Sequence, residues 1–72
     1  MKNFVKEKRM ELNMTQDDLS EKLDVSRQTI ISLEKGRYNP SIKLAFKLSK
    51  LFNCSIEDIF IYEEEEEDER IY

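Results

Sequence analysis

The fold is decided by residues 15–36, which read TQDDLSEKLDVSRQTIISLEKG. Thr15 is followed three residues later by Asp18, which is the spacing of a capping box. In that arrangement the threonine hydroxyl accepts a backbone N–H and the acid suits the positive end of the helix. The helix that begins here is expected to end near Leu23. Asp24 then occupies the turn, because Asp is one of the few non-glycine residues that tolerate a left-handed backbone.

The second half of the segment predicts another short helix. Ser26 is a good N-cap residue, and Gly36, the only glycine in the chain, stands where a C-cap needs an unhindered left-handed residue. These two signals bound a helix of about nine residues. Two short helices joined by a turn of three or four residues form a helix-turn-helix, and the second helix of such a motif is the one that can enter the major groove of DNA.

The outward face of this second helix carries side chains that suit base recognition. If Ile30 and Leu33 point inward, a rotation of about 100° per residue places a largely polar set on or beside the opposite face: Arg27, Gln28, Ile31, Ser32 and Lys35. Arg bonds guanine and Gln bonds adenine in a bidentate manner, and Ser is a donor or an acceptor. Ile31 has two equal interpretations, which are contact with a thymine methyl group and simple tolerance of an exposed isoleucine.

Apolar residues at helical spacing predict a helix before this segment as well. It covers roughly residues 2–12, with Val5 and Leu12 on one face and Arg9 between them. Asn13 is expected to end it.

Two further helices are predicted after Gly36. One lies near residues 41–52, and its apolar residues form a buried stripe of Leu44, Ala45, Leu48, Leu51 and Phe52. The last is short, begins with a capping box of Ser55 and Asp58, and carries Ile56, Ile59 and Phe60. No convincing alternating segment precedes the C-terminal tail, so the body of the chain is expected to be all-α with five helices.

Composition divides the chain into two parts. With 72 residues it forms one domain with a small core, for which a partner subunit is a reasonable source of added stability. The formal net charge is −4, yet residues 63–69 hold seven acids, and residues 1–62 carry 11 basic and 9 acidic residues, a net charge of +2. We therefore expect a domain over residues 1–62 and an acidic tail over residues 63–72.

Several classes of protein are disfavoured by what the sequence lacks. It has no histidine and one cysteine, Cys54, so we expect no metal site, no disulfide framework and no cofactor. A nucleophile–base pair and a glycine-rich phosphate loop are also lacking, so we do not expect an enzyme. Without a bilayer-spanning apolar run or a cleavable leader, a cytoplasmic protein is expected. Cys54 is interpreted as a small buried side chain.

Taken together, the motifs resemble those of the Cro/cI-type, or Xre-family, repressors. The resemblance covers about residues 3–61 and rests on Thr15-Gln16, Leu19, Leu23, Val25-Ser26-Arg27-Gln28-Thr29-Ile30, Leu33-Glu34-Lys35-Gly36 and Tyr38-Asn39-Pro40-Ser41. Asp24 departs from it, since the family commonly has Gly there. The resemblance implies a compact, five-helix, lambda-repressor-like domain. It also implies a transcriptional regulator, expected to be a repressor, that reads the major groove of an inverted-repeat operator as a homodimer.

The resemblance also implies roles for individual residues. Bases would be read by Arg27, Gln28 and Ser32, with Ile31 beside them. Gln16 would bind a phosphate and help to hold Gln28, and Arg9 would form a structural ion pair with Glu34 between the first and third helices. The full set expected along the DNA phosphates is Gln16, Thr15, Lys35, Arg37, Asn39, Ser41 and Lys43.

The last helix and the chain just after it are expected to form the dimer interface, because their apolar residues exceed what a monomer should expose. These residues are Ile59, Phe60, Ile61 and Tyr62.

The tail keeps three interpretations. It is a solvated, disordered run of like charges, a hairpin or a strand paired across the dimer, or an acidic segment that folds onto the basic DNA face and competes with phosphate. The rival function is a protein-interaction adaptor, or an antitoxin-like partner, built on the same fold. Because no inducer pocket is evident, we expect control by dimer concentration or by a regulatory protein partner in preference to a small molecule.

Overall fold

A computed structural model describes residues 1–62, which form five helices and two short strands. The helices are α1 (Val5–Glu11), α2 (Gln16–Leu23), α3 (Arg27–Glu34), α4 (Ile42–Phe52) and α5 (Ile56–Ile59); the strands are β1 (Lys2–Asn3) and β2 (Phe60–Ile61). The acidic tail, residues 63–72, lies outside the described residues, so its three interpretations stay predictions.

The signals that were predicted to start and end α2 are confirmed. Thr15 Oγ1 accepts the backbone N–H of Asp18 at 3.0 Å, and Asp18 Oδ2 accepts the backbone N–H of Thr15 at 2.9 Å. The helix ends at Leu23, and Asp24 has φ 59° and ψ 47°, in the left-handed region. The turn between α2 and α3 therefore has the backbone that an Asp can adopt at low cost.

The predicted boundaries of α3 and α5 are confirmed in the same way. Ser26 Oγ accepts the backbone N–H of Thr29 at 3.1 Å at the start of α3, and Gly36 has φ 76° just beyond its end. Ser55 and Asp58 form a second capping box at α5. Each cap satisfies backbone N–H groups that the first turn of a helix leaves without a partner.

One apolar core joins all five helices. Its buried members are Val5, Leu19, Leu23, Ile30, Leu33, Leu44, Leu48 and Ile59. Burial of one such side chain contributes about 1.5–3 kcal/mol, so this cluster is the main stabilising feature of the domain. The predicted stripe of α4 belongs to it, with Leu51 and Phe52 half-buried against its edge, and Val25 and Cys54 pack there too.

The prediction for the first helix is wrong at its start and in the burial of Leu12, whereas the expected end at Asn13 is confirmed. Residues 2–3 form β1, and α1 begins at Val5, where the Asn3 side chain accepts the backbone N–H of Val5 at 3.0 Å. At the other end, Leu12 follows the last helical residue and is 49% exposed instead of buried. Asn13 adopts a left-handed backbone with φ 57°, which ends the helix before Leu12 can join the buried face.

The expected five-helix fold is confirmed, and the structure adds to it a pair of short strands that was not predicted within residues 1–62. Strands β1 and β2 pair in antiparallel fashion, with Lys2 opposite Ile61 and Asn3 opposite Phe60. Phe60, which was predicted to lie in the last helix, is therefore in a strand. The pairing joins two segments that are almost sixty residues apart, and neither is long enough to show alternation in the sequence.

Candidate nucleic-acid interface

Helix α3 presents one face to the core and the other to solvent. Ile30 and Leu33 are completely buried, whereas Arg27, Gln28 and Lys35 are exposed and Ser32 is half-buried. Ile31 was expected to be exposed, but it too is half-buried. The outward face therefore offers an Arg and a Gln at the start of the helix, where the N-terminal residues of a recognition helix meet base edges.

The start of α3 lies beside the start of α2. Arg27 Nε is 3.7 Å from Asp17 Oδ1, and both side chains are more than half exposed. An exposed pair of this kind contributes little to stability. The arginine can therefore exchange this carboxylate for a base or a phosphate at small cost.

The family resemblance implied that Gln16 holds Gln28, and the structure shows a different partner. Gln16 Nε2 donates to Glu34 Oε1 at 3.2 Å. Among residues 1–62, the Gln28 side chain makes no hydrogen bond. Gln28 is thus a free donor and acceptor, and Gln16 is tied to the end of α3.

Arg9 and Glu34 lie together beneath this surface. Arg9 Nε is 2.6 Å from Glu34 Oε2, and their side chains are 11% and 6% exposed. The guanidinium also donates to the backbone carbonyl of Met14 at 2.7 Å. The pair therefore connects α1 with the end of α3 and with the loop that leads into α2, as expected of a structural ion pair.

The expected phosphate-binding residues fall into two groups. Gln16 and Thr15 stand at the start of α2, and the others follow α3 through the loop to the start of α4: Lys35, Arg37, Asn39, Ser41 and Lys43. All are exposed except Gln16, which is half-buried. In its cap, Ser41 uses an oxygen lone pair to accept the backbone N–H of Leu44, so its hydroxyl keeps a hydrogen that it can donate to a phosphate.

Lys47 is a residue that the sequence reasoning missed. A cleft of about 240 Å³ lies between the helix-turn-helix turn and α4, and its lining includes Ser41, Lys43 and Lys47. Lys47 Nζ donates to the backbone carbonyl of Leu23, the last residue of α2, at 3.2 Å. A cation at this helix end is favourable for the helix dipole. The sequence signal that could have identified Lys47 is its spacing of four residues from Lys43, which places both lysines on one side of α4.

Asn3 was also missed. Its side-chain Nδ2 donates to the backbone carbonyl of Leu33 at 2.9 Å, in the last turn of α3. Strand β1 therefore fixes the end of the helix that presents the candidate base-reading residues. No local pattern could have indicated this contact, because its two partners are 30 residues apart.

The expected dimer residues differ in accessibility. Ile59 is completely buried within the chain, so it offers no surface to a partner and that part of the prediction is wrong. It was included because the apolar residues at this end of the domain exceed what a monomer should expose, and only the packing of α5 against the core shows that Ile59 is buried. Phe60 and Ile61 are half-buried in β2, and Tyr62 is 59% exposed.

One titratable group near the site has a shifted pKa. The backbone N–H of Thr15, and then its hydroxyl, hydrogen-bond the carboxylate of Asp18 and lower its pKa below the ordinary value. The negative charge that caps α2 is thereby retained at mildly acidic pH.

Within residues 1–62, no helix has the length and apolar character that crossing a membrane requires.

Comparison with known proteins agrees with this geometry. A family model described as helix-turn-helix matches residues 5–59. An uncharacterized HTH-type transcriptional regulator of Methanocaldococcus jannaschii is 62% identical over 66 residues, which are 92% of this chain and all of that protein. One from Archaeoglobus fulgidus is 54% identical over 92% of this chain and 93% of its own length.

A bacterial protein is similar as well. The uncharacterized HTH-type transcriptional regulator YgzD of Bacillus subtilis is 48% identical over 90% of this chain and 98% of its own length. The family model covers helices α1 to α5, including the motif formed by α2 and α3. The chain belongs to the Xre/Cro-type helix-turn-helix family of DNA-binding transcriptional regulators.

Proposed function

We propose that this protein is a transcriptional repressor that binds an inverted-repeat operator as a homodimer and reads base edges with α3. The observation that carries the proposal is the outward face of α3, where Arg27 and Gln28 are exposed at the start of a helix whose opposite face is locked into the core. Arg suits guanine and Gln suits adenine through paired hydrogen bonds. Ser32, one turn further along, adds a less selective contact, and Ile31 lies beside it.

Contacts to the DNA backbone set the position of α3 in the groove. The exposed cations after α3, namely Lys35, Arg37 and Lys43, neutralise phosphates, while Asn39 and Ser41 donate neutral hydrogen bonds. Residues 1–62 have a net charge of +2, so the binding domain itself favours a polyanion despite the charge of the whole chain. Such contacts orient a protein on DNA without selecting a sequence.

Dimerisation through β2 is the proposed way to place two copies of α3 in successive major grooves, about 34 Å apart. Phe60 and Ile61 are half-buried, Tyr62 is exposed, and β2 has one edge without a neighbouring strand among residues 1–62. An open strand edge with apolar side chains is a template for pairing with a second chain.

The dimer proposal is tested by sedimentation velocity. Ile61→Asp should convert dimers to monomers, since a carboxylate would enter an apolar contact. Met10→Asp is the matched control, because Met10 is an apolar residue of α1 that is 57% exposed and remote from β2 in sequence. A dimer that survives Ile61→Asp and Phe60→Asp would contradict this interface.

The DNA-binding proposal is tested by selection from a random duplex library, followed by titration of the enriched sequence. The expected result is an inverted repeat with half-sites one helical turn apart. A transcription assay on a template that carries the selected operator should show repression. Failure to enrich any duplex would contradict the proposal.

A second candidate function, that of a protein-interaction adaptor, is favoured by one observation. Ile42 and Phe46 lie one turn apart on α4 and are 76% and 56% exposed, which is unusual for two large apolar side chains on one helix face. If DNA binding is the function, Phe46→Asp leaves operator affinity unchanged. If the chain is an adaptor, the wild-type protein enriches no duplex.

A further inference from the structure

The carboxylate of Glu34 lies where three helices meet. Its Oε2 accepts from Arg9 Nε of α1 at 2.6 Å, and its Oε1 accepts from Gln16 Nε2 of α2 at 3.2 Å, while Glu34 itself is the last residue of α3. The Glu34 side chain is only 6% exposed. A carboxylate that is buried and bonded on both oxygens has essentially one orientation, and so does any group bonded to it.

Arg9 makes this arrangement compatible with DNA. A lone carboxylate near a candidate phosphate-binding residue would repel the polyanion, but the guanidinium beside it neutralises the charge at 2.6 Å. Its further bond to the Met14 carbonyl fixes the guanidinium in turn. The net result is a neutral, rigid anchor directly behind Gln16.

The amide of Gln16 retains hydrogen-bonding capacity toward solvent. Nε2 carries two hydrogens, and Glu34 accepts one; the hydrogen bonds among residues 1–62 leave the other unused. Gln16 is half-buried, and the next residue, Asp17, has its carboxylate 3.7 Å from Arg27 Nε. The unused N–H donor therefore lies at the N-terminus of α2, which is beside the N-terminus of α3.

We propose that Glu34 is a positioning residue for DNA binding: it holds the Gln16 amide so that the remaining N–H donates to a backbone phosphate, with Arg9 as the counter-charge. The inference rests on the proposed function and deepens it, because the Arg9–Glu34 pair then acts on DNA affinity as well as on folding. A free glutamine side chain loses several rotamers when it binds, and a glutamine held in advance does not. Loss of the anchor should therefore weaken operator binding about 2- to 10-fold.

The test is a double-mutant cycle on operator affinity with the full chain. Arg9→Met/Glu34→Met replaces the ion pair by two apolar side chains of similar length and removes the acceptor for Gln16. Gln16→Ala is then measured in the wild-type and in the paired-Met background, by titration with the selected operator. Circular dichroism and thermal unfolding establish that each variant is folded at the assay temperature.

The two outcomes of the cycle are distinct. If Glu34 acts through Gln16, the paired-Met variant loses affinity by the expected factor and Gln16→Ala costs clearly less there than in wild type. If the pair serves folding alone, the paired-Met variant binds as wild type or Gln16→Ala costs the same factor in both backgrounds, and the proposal is overturned.

A measurement on the wild-type protein keeps the proposal testable if the paired-Met variant fails to fold. NMR relaxation of side-chain NH₂ groups compares Gln16 with Gln28, which is exposed and makes no hydrogen bond among residues 1–62. Gln16 should be as ordered as the backbone before DNA is added, and Gln28 should be mobile. Equal mobility of the two amides would overturn the proposal. A wild-type protein that enriches no duplex would instead refute the proposed function itself.

Discussion

Removal of Arg9 alone should destabilise the domain severely. The Glu34 side chain is 6% exposed, and Arg9→Met leaves its carboxylate with only the Gln16 amide as a partner. Loss of one member of a buried ion pair costs about 3–5 kcal/mol, because the remaining charge is uncompensated. The Met14 carbonyl loses its donor as well, which adds about 1 kcal/mol.

This cost is large relative to the whole free energy of unfolding. At about 0.05–0.15 kcal/mol per residue, a chain of 72 residues has about 4–11 kcal/mol in total. Arg9→Met/Glu34→Met should lie within about 2 kcal/mol of wild type, since apolar replacement of both partners leaves no stranded charge. The paired variant is therefore predicted to be more stable than the single one, although it removes more native contacts.

The assay is urea unfolding at pH 7, followed by far-ultraviolet circular dichroism and analysed by linear extrapolation. Lys6→Met on the exposed side of α1 is the matched control and should change stability by less than about 0.5 kcal/mol. The reasoning is refuted if Arg9→Met costs under about 1 kcal/mol, or if the paired variant is as unstable as the single one.

The remaining predictions concern the loss of stability at acidic pH, base recognition by α3, the phosphate contacts and the turn after α3. Because hydrogen bonds from Thr15 lower its pKa, Asp18 contributes stability above its ordinary pKa of 3.8 that is lost as the pH falls through the lower folded-state value. Asp18→Asn should therefore reduce the fall of the unfolding free energy at acidic pH, as measured by urea unfolding. An unchanged pH dependence would contradict a stabilising role for the Asp18 carboxylate in the cap. Gln28→Ala should relax base preference by about 1–3 kcal/mol on matched against mismatched operators, and an unaltered preference would exclude it as a reader. Lys43→Ala should weaken binding by the same factor on matched and mismatched operators, and should reduce the slope of log affinity against log salt concentration by about one. A loss that depends on the operator sequence would indicate a base contact instead. Gly36→Ala should cost about 1–2 kcal/mol of unfolding free energy, because φ is 76° and a Cβ would lie 3.1 Å from a backbone oxygen of the N-terminal segment. An unchanged free energy of unfolding for Gly36→Ala would show that the turn relaxes around the added Cβ.

The helix-turn-helix could be predicted because its signals are local. Thr15 and Asp18 bond each other across three residues, and Ser26 bonds the backbone of Thr29 at the same spacing. Asp24 and Gly36 mark backbone conformations that depend on the residue itself. Such signals need no knowledge of distant parts of the chain, so the boundaries of α2 and α3 were correct to within one residue.

The parts that sequence reasoning missed all depend on distant partners. Asn3 looks like any polar residue before a helix, yet it bonds Leu33, and β1 pairs with β2 from the far end of the domain. Ile59 reads as an apolar residue of a short terminal helix, and only the packing of α5 against the core shows that it is buried. The bond from Gln16 to Glu34 likewise depends on tertiary structure, since the two residues are 18 positions apart in the sequence.

The sequence by itself determined the motif, the face of α3 that turns to solvent and the residue types at its start, because capping, left-handed turns and 3.6-residue periodicity act over a few residues. Only the tertiary structure decided what stands behind that face. It brings Arg9, Gln16 and Glu34 into one hydrogen-bonded group from three helices. The physical reason is that a buried charge is stable only where the folded chain places hydrogen-bonding and oppositely charged groups beside it, and here those groups come from separate parts of the chain.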